Sequence, residues 1–572
     1  MNSPTPAIVA QSAVRRMPRW ALLLFCAAYV IPGFVGRAPW KSADLTAFGY
    51  MLELAHGRTD WLDPRIAGFA PETDGLLPYW LGAWSVRLFG NVFGVEMAAR
   101  LPFAALLALT LVATWYGVYH LARSPAAQPV AFAFGGEARP VDYARAIADG
   151  GLLALVACLG LAQFSHEGTA YLTQLSCTAL VFYALAAAPH RTLAPAVSLV
   201  LGLPGLALSG GPVLAVVFGA IGTVLAAVQP EEPDVAPARI RRVAIAVGLA
   251  TLAVVALAQA LALWRWRILL PGAGDGGKQW QSLGRLLLWF TWPTWPLVLW
   301  TVWRWRRQIA SRRVRRHLLL PLGFALTALT ATLFTQPADR ALLLGLPSFA
   351  ALAAFALPTL RRSVAAIIDW FTLLFFTTSA ITIWVVWISL QTGVPAKPAA
   401  NVAKLAPGFV PSFSLVAFLA ALAATLAWLW LVAWRTGRNR SAIWRSLVLP
   451  AGGAALCWLL LSTLWLPALD FARSYAAQSR SVARIVGQPT CMEFFGLSRA
   501  QIVGLRHHGH FTLVPAGHEP RCEWLAVDFD ARAALPSAVD AARWQWRATV
   551  NRPTDKTENL MLFQRKRATD GG

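Results

Sequence analysis

Residues 39–80 read PWKSADLTAFGYMLELAHGRTDWLDPRIAGFAPETDGLLPYW and follow directly on an apolar run from Trp20 to Val35. The whole chain has 27 acidic residues, yet Asp44, Glu53, Asp60, Asp63, Glu72 and Asp74 all fall here. A membrane protein that gathers carboxylates at one face of the bilayer has built a reaction or binding site there. The carboxylate loop, taken as 37–97, is therefore where function is expected.

The rest of the chain supplies the membrane context. Hydrophobic residues make up 57% and charged residues 13%, about half the charged share of a soluble domain. Apolar segments fall near 20–36, 98–121, 149–164, 170–188, 193–209, 211–228, 243–263, 285–302, 318–335, 341–359, 364–390, 410–434 and 447–466. These predict an all-α polytopic domain over residues 1–466, with about thirteen transmembrane helices. The run near 76–94 reads either as a membrane-surface helix or as a further span. The net charge of +23 does not point to nucleic acid, because the basic residues sit in short clusters between apolar segments. Arg239-Ile240-Arg241-Arg242, Arg304 to Arg316, Arg361-Arg362 and Arg435 to Arg445 all fall on one side when the N-terminus is cytoplasmic. That is the positive-inside pattern and a match for anionic lipid headgroups. The carboxylate loop and the C-terminal tail then lie on the outer side. Arg15, Arg16 and Arg19 precede the first apolar run with no small-residue cleavage site behind it, the pattern of an uncleaved anchor.

From 467 to 572 the character changes. Short alternating groups such as Phe511-Thr512-Leu513-Val514 and Glu523-Trp524-Leu525-Ala526-Val527 predict strands in a small C-terminal α/β domain, periplasmic in this topology. Cys491 and Cys522 lie in this polar region, whereas Cys26, Cys158, Cys177 and Cys457 lie in apolar runs. In an oxidising compartment the first two are either a disulfide or two unpaired thiols. No Cys-x-x-Cys pattern accompanies them, so no zinc site is expected there. There is no P-loop, and the glycine-rich Gly272 to Gly277 lacks the strand-to-helix setting of a nucleotide site.

The residues leave Asp44 two roles. It is a general base, with partial desolvation raising its pKa, or a solvated carboxylate paired with Lys41. The order of features narrows the choice. Asp44 is followed by Met51, Gly57, Asp60-Trp61-Leu62-x-Pro64, Gly68, a carboxylate and Tyr79-Trp80-Leu81, then Leu88-Phe89-Gly90 and Ala99-Arg100-Leu101-Pro102. This resembles the first periplasmic loop of polyprenyl-phosphate-dependent membrane glycosyltransferases of the GT-C class. Lipid A aminoarabinose transferases are the nearer likeness and protein O-mannosyltransferases the more distant. It covers residues 39–102, and extends weakly to Trp292-Pro293-Thr294-Trp295-Pro296-Leu297 and to Arg340 with Leu346-Pro347.

The resemblance implies an inverting glycosyltransferase of the bacterial inner membrane. Its donor would be an undecaprenyl-phosphate-linked sugar, and its acceptor a periplasmic-face hydroxyl on lipid A or another glycan or lipid. Asp44 stands at the family's catalytic aspartate. Lys41, Glu72 or Asp74, and Tyr79 line the implied substrate cavity. Arg100 and Arg340 are contacts for the lipid-linked phosphate, or else interfacial anchors. The family's lysine after the second acidic residue is replaced here by Gly75-Leu76-Leu77-Pro78. Where the family often has another outer-loop aspartate, this chain has His166 and Glu167, read either as substrate or divalent-metal groups or as a structural pair. The residues name no cofactor; a divalent metal is compatible. A lipid or sugar transporter, a flippase, a scaffold and a protein O-glycosyltransferase stand as the other readings.

Overall fold

Long apolar runs become helices, and prolines and basic clusters decide where they stop. The computed structural model describes residues 5–71, 75–228, 236–264, 276–311, 314–335, 338–437, 442–487 and 489–566. Glu72, Asp74 and most of the Gly272–Gly277 stretch lie outside the described residues. Among those described, seven helical segments are long and apolar enough to cross a bilayer: Val95–Ala122, Ala170–Ala187, Pro237–Ala260, Arg316–Phe334, Arg362–Thr392, Leu415–Thr436 and Ile443–Leu461. Shorter apolar helices are Arg19–Val30, Leu193–Leu208, Pro212–Val228 and Leu346–Thr359. The chain is a multi-pass membrane protein.

Two expected spans are broken. The segment 149–164 divides at Cys158 into Pro140–Ala157 and Leu159–Phe164. The segment 285–302 divides at Trp292-Pro293 into Gly276–Phe290 and Thr294–Arg304. A proline has no backbone N–H to continue the ladder and crowds the preceding turn, so the second break follows from the sequence.

Helix α1 (Arg19–Val30) leads into the carboxylate loop, which forms α2 (Ala43–Ala55) and α3 (Leu77–Phe93) before α4 (Val95–Ala122) re-enters the bundle. Nearly every face of α2 is buried, Asp44 and Glu53 included. On α3, Tyr79, Gly82, Ala83 and Val86 point inward, while Trp84, Leu88 and Val92 form an exposed apolar stripe. Their spacing of four puts them on one helical face, the pattern of a helix lying along the lipid surface.

The N-terminus and several basic clusters share one end of the bundle. There Ala10 bridges Glu137, Arg16 pairs with Asp142 at 3.0 Å, and the Trp444 indole donates to the Arg15 carbonyl. A cavity of about 1100 Å³ at this end is lined by Arg362, Asp369, Arg435 and Arg445.

The opposite end carries a five-stranded sheet ordered β2-β1-β3-β5-β4. The strands are β1 (Met492–Phe495), β2 (Leu513–Pro515), β3 (Trp524–Asp528), β4 (Trp544–Arg552) and β5 (Asp555–Arg565). β1 runs parallel to β2 and β3, and β5 runs antiparallel to β3 and β4. The period of two separates the faces. Met492, Phe494, Trp524, Ala526, Leu560 and Leu562 join the main core, while Leu525, Val527, Met561 and Phe563 pack with Leu535 and Trp544 on the other side. Cys491 and Cys522, just before β1 and β3, form a disulfide with Cα atoms 5.4 Å apart.

Candidate active site

Asp44 lies in the first turn of α2 and is 3% exposed. It is paired with Arg37, not with Lys41: its Oδ2 accepts from Arg37 Nη1 at 2.7 Å and from the Trp40 N–H at 3.1 Å. Its Oδ1 accepts from the Gly168 N–H at 2.7 Å. Only a glycine allows this approach comfortably, because a Cβ at 168 would sit 3.3 Å from that oxygen. Burial pushes the Asp44 pKa up, but the Arg37 and Arg100 guanidinium groups and the donated hydrogen bonds outweigh it and hold the carboxyl below its ordinary value. The expectation that desolvation would raise Asp44 is therefore corrected. A carboxylate with two cations beside it stays charged, and its oxygens are already engaged.

Arg37 is the hub. Besides Asp44 it donates to the carbonyls of Gly33 at 3.0 Å and His166 at 2.6 Å. Its own carbonyl accepts from Arg100 Nη1 at 2.5 Å, while Arg100 Nη2 is buried with no hydrogen-bond partner among the described residues. Such a group costs free energy unless something occupies it.

Glu167, next to Gly168, has both oxygens engaged. Oε2 accepts from Arg340 Nη1 at 2.6 Å, and Oε1 from Gln163 Nε2 at 3.3 Å. Arg340 stacks 4.1 Å from the Phe164 ring and 5.2 Å from the Tyr171 ring. Burial pushes the Glu167 pKa up, Arg340 opposes that, and the charge of Asp44 adds to it; the net direction is upward. Asp44 and Glu167 thus lie within electrostatic reach of each other, with pKa values driven apart. Such splitting separates an anchored charge from a group able to take a proton.

Two further residues complete the cluster. Asp470 accepts from the Ala38 N–H at 2.8 Å and from the Trp40 indole at 2.9 Å. Arg473 stacks on Trp40 and lies within electrostatic reach of Glu167 and Arg340. Four guanidinium groups, from Arg37, Arg100, Arg340 and Arg473, face three carboxylates, from Asp44, Glu167 and Asp470. The open Arg100 donor and the guanidinium groups of Arg340 and Arg473 suit a phosphate.

The remaining expected residues sit elsewhere. Lys41 reaches the sheet unit, pairing with Asp555 at 2.6 Å and Glu558 at 2.8 Å. Tyr79 is buried against Tyr50, ring centroids 5.1 Å apart, in the α2–α3 contact. The His166 ring is a wedge: it packs 4.6 Å from Trp458 and 5.1 Å from Phe34. Its nitrogens meet the Tyr29 and Ala162 carbonyls. Burial lowers its pKa to about 4, so the ring is neutral. Sequence reasoning missed Arg37, Gly168, Asp470 and Arg473. Arg37 did carry a signal, since it is a lone arginine beyond the first apolar run on the side that the charge pattern makes outer.

No family model matches the chain, and no curated protein matches it in sequence. Solved structures do. ArnT from Cupriavidus metallidurans in the apo state superposes with a TM-score of 0.62 at 14% identity, covering 95% of this chain and 98% of that one. The same protein bound to undecaprenyl phosphate gives 0.59 at 14% identity, covering 96% and 98%. The chain has the fold of ArnT over nearly its whole length, a polytopic helical fold of the GT-C type with a small C-terminal sheet.

Proposed function

We propose that the chain is an inverting glycosyltransferase of the bacterial inner membrane, moving a sugar from undecaprenyl phosphate to a hydroxyl at the outer face, with lipid A as the first acceptor to test. The observation that carries this is the buried meeting of Asp44, Glu167 and four arginines in a chain with the fold of ArnT, a protein also solved bound to undecaprenyl phosphate. The N-terminal end, with its basic clusters, is cytoplasmic, and residues 467–572 form the periplasmic unit.

Arg100, Arg340 and Arg473 take the donor phosphate, whose lipid tail stays in the bilayer. The acceptor oxygen attacks the anomeric carbon as the bond from that carbon to the phosphate oxygen breaks. Polyprenyl phosphate leaves with the bonding pair, stabilised by the guanidinium groups. The hydroxyl proton passes to Glu167, the carboxyl whose pKa is raised and so better matched to neutral pH. Donor phosphate drawing Arg340 away would raise it further. Asp44 keeps its charge and fixes Arg37, which in turn holds Arg100. Glu72 and Asp74 keep the substrate role that the resemblance implies, Tyr79 is assigned to the α2–α3 packing, and Lys41 to docking of the periplasmic unit.

The test is mass spectrometry of lipid A and polyprenyl-phosphate glycolipids from cells with the protein, without it, and with Glu167→Gln or Asp44→Asn at equal expression. Loss of a sugar-sized mass from the acceptor, with the lipid-linked donor accumulating, is the expected result and names the sugar. Unchanged acceptor and donor pools in the deletion strain would overturn the reading in favour of a transporter or scaffold.

A further inference from the structure

Away from the arginine cluster, a second set of chemically active side chains meets where the sheet unit touches the bundle. Glu96 is in the first turn of α4, and His507 and His508 are in the last turn of the helix Arg499–Gly509. That helix is fixed at both ends. A Ser498–Gln501 capping box starts it, and His510 ends it in the left-handed region with φ 55°. It lies directly on α2, where a Cβ at Gly49 would be 2.3 Å from Val503, and its Arg506 pairs with Glu53 at 3.3 Å.

We propose that Glu96, His507 and His508 form a divalent-cation site of the zinc class that fastens the C-terminal unit to α4 beside the Asp44 cluster. One ligand atom from each residue lies within 4.8 Å of the other two. His507 Nε2 already meets Glu96 Oε1 at 2.8 Å. The His508 ring is 4.8 Å from the His507 ring, and its Nε2 is buried with no hydrogen-bond partner among the described residues. Tetrahedral zinc ligands about 2.1 Å from the metal stand roughly 3.4 Å apart, so rotamer shifts of about an ångström or more close the set and leave a fourth position for water. Two imidazoles with one carboxylate favour zinc over magnesium or calcium, which need more oxygen ligands. Phe48 of α2 packs on His507 at 4.9 Å, so a bound metal would stiffen the face of α2 that carries the catalytic loop.

The test uses full-length protein in detergent, purified without a histidine tag, stripped with chelator, given zinc and desalted. Metal is then counted by mass spectrometry and melting followed by intrinsic fluorescence. One zinc per chain and a higher melting temperature are expected. His508→Gln and Glu96→Gln should each weaken zinc binding by more than about tenfold, and His508→Gln should leave metal-free melting unchanged. Cobalt in place of zinc should give a tetrahedral d–d absorption that both variants lose. Wild-type protein that retains no zinc would overturn the proposal. So would variants that retain as much as wild type, which would move the metal elsewhere, for instance to His120 and His190, whose rings lie 6.2 Å apart.

Discussion

Arg37 and Asp44 meet at 2.7 Å with side chains only 2% and 4% exposed. Removing one member of such a pair leaves a buried charge uncompensated, at roughly 3–5 kcal/mol. Arg37→Met should therefore destabilise the protein by about that amount. Arg37→Met with Asp44→Asn should recover much of the loss, since neither charge is then stranded. Thermal unfolding in detergent across the double-mutant cycle measures the coupling. Additive effects would show that the pair is not coupled.

The raised pKa of Glu167 predicts a pH dependence with a definite sign. A proton acceptor works in its ionised form, so transfer should rise with pH through a value above the ordinary glutamate range of about 4.3. Glu167→Gln should cut the rate about 10²–10⁴-fold and abolish that limb of the profile. Stability moves the other way. A raised carboxyl favours the fold while protonated and loses that advantage as pH climbs through its folded pKa. The glutamine variant should thus lose less stability than wild type over that window, as melting curves at stepped pH will show.

Arg100 and Arg340 should separate binding from chemistry. Arg100→Lys keeps a charge but not the fork that leaves Nη2 open, and Arg340→Lys loses the flat stack on Phe164. Each should raise the KM for the lipid-linked donor about tenfold or more, with a smaller effect on an acceptor lacking phosphate. Steady-state kinetics against both substrates would detect the split.

The Cys491–Cys522 bridge spans 31 residues. Cross-linking a loop of that size is worth about 3–4 kcal/mol by the chain-entropy argument. Replacing both cysteines by serine should lower the melting temperature, and reductant should lower it for wild type but not for the double variant.

How much of this was legible beforehand differs from element to element. The helical bundle was, because runs such as 364–390 and 410–434 are too long and apolar for anything but a span. The sheet was too, because its alternating groups buried opposite faces as their period required. The break at Pro293 had a marker that reading 285–302 as one span passed over, whereas the break at Cys158 had none. Asp44 was singled out by its place after the first span, but its partners were not. Gly168 reaches it across more than a hundred residues of chain, and Asp470 and Arg473 join the cluster through Trp40 from farther still; such closure is a property of packing, not of spacing. Desolvation alone suggested a raised pKa; the cations that reverse it come largely from a neighbour whose side chain the sequence does not aim.

Lys41, three residues before Asp44, is clasped by Asp555 and Glu558 of the β4–β5 hairpin. Lys41 and Asp555 are 514 residues apart in the chain, so the loop that carries Asp44 is locked only after the sheet unit has folded against it. A defect in that hairpin is felt three residues from Asp44, which makes the sheet unit a condition for the site and not an appendage to it.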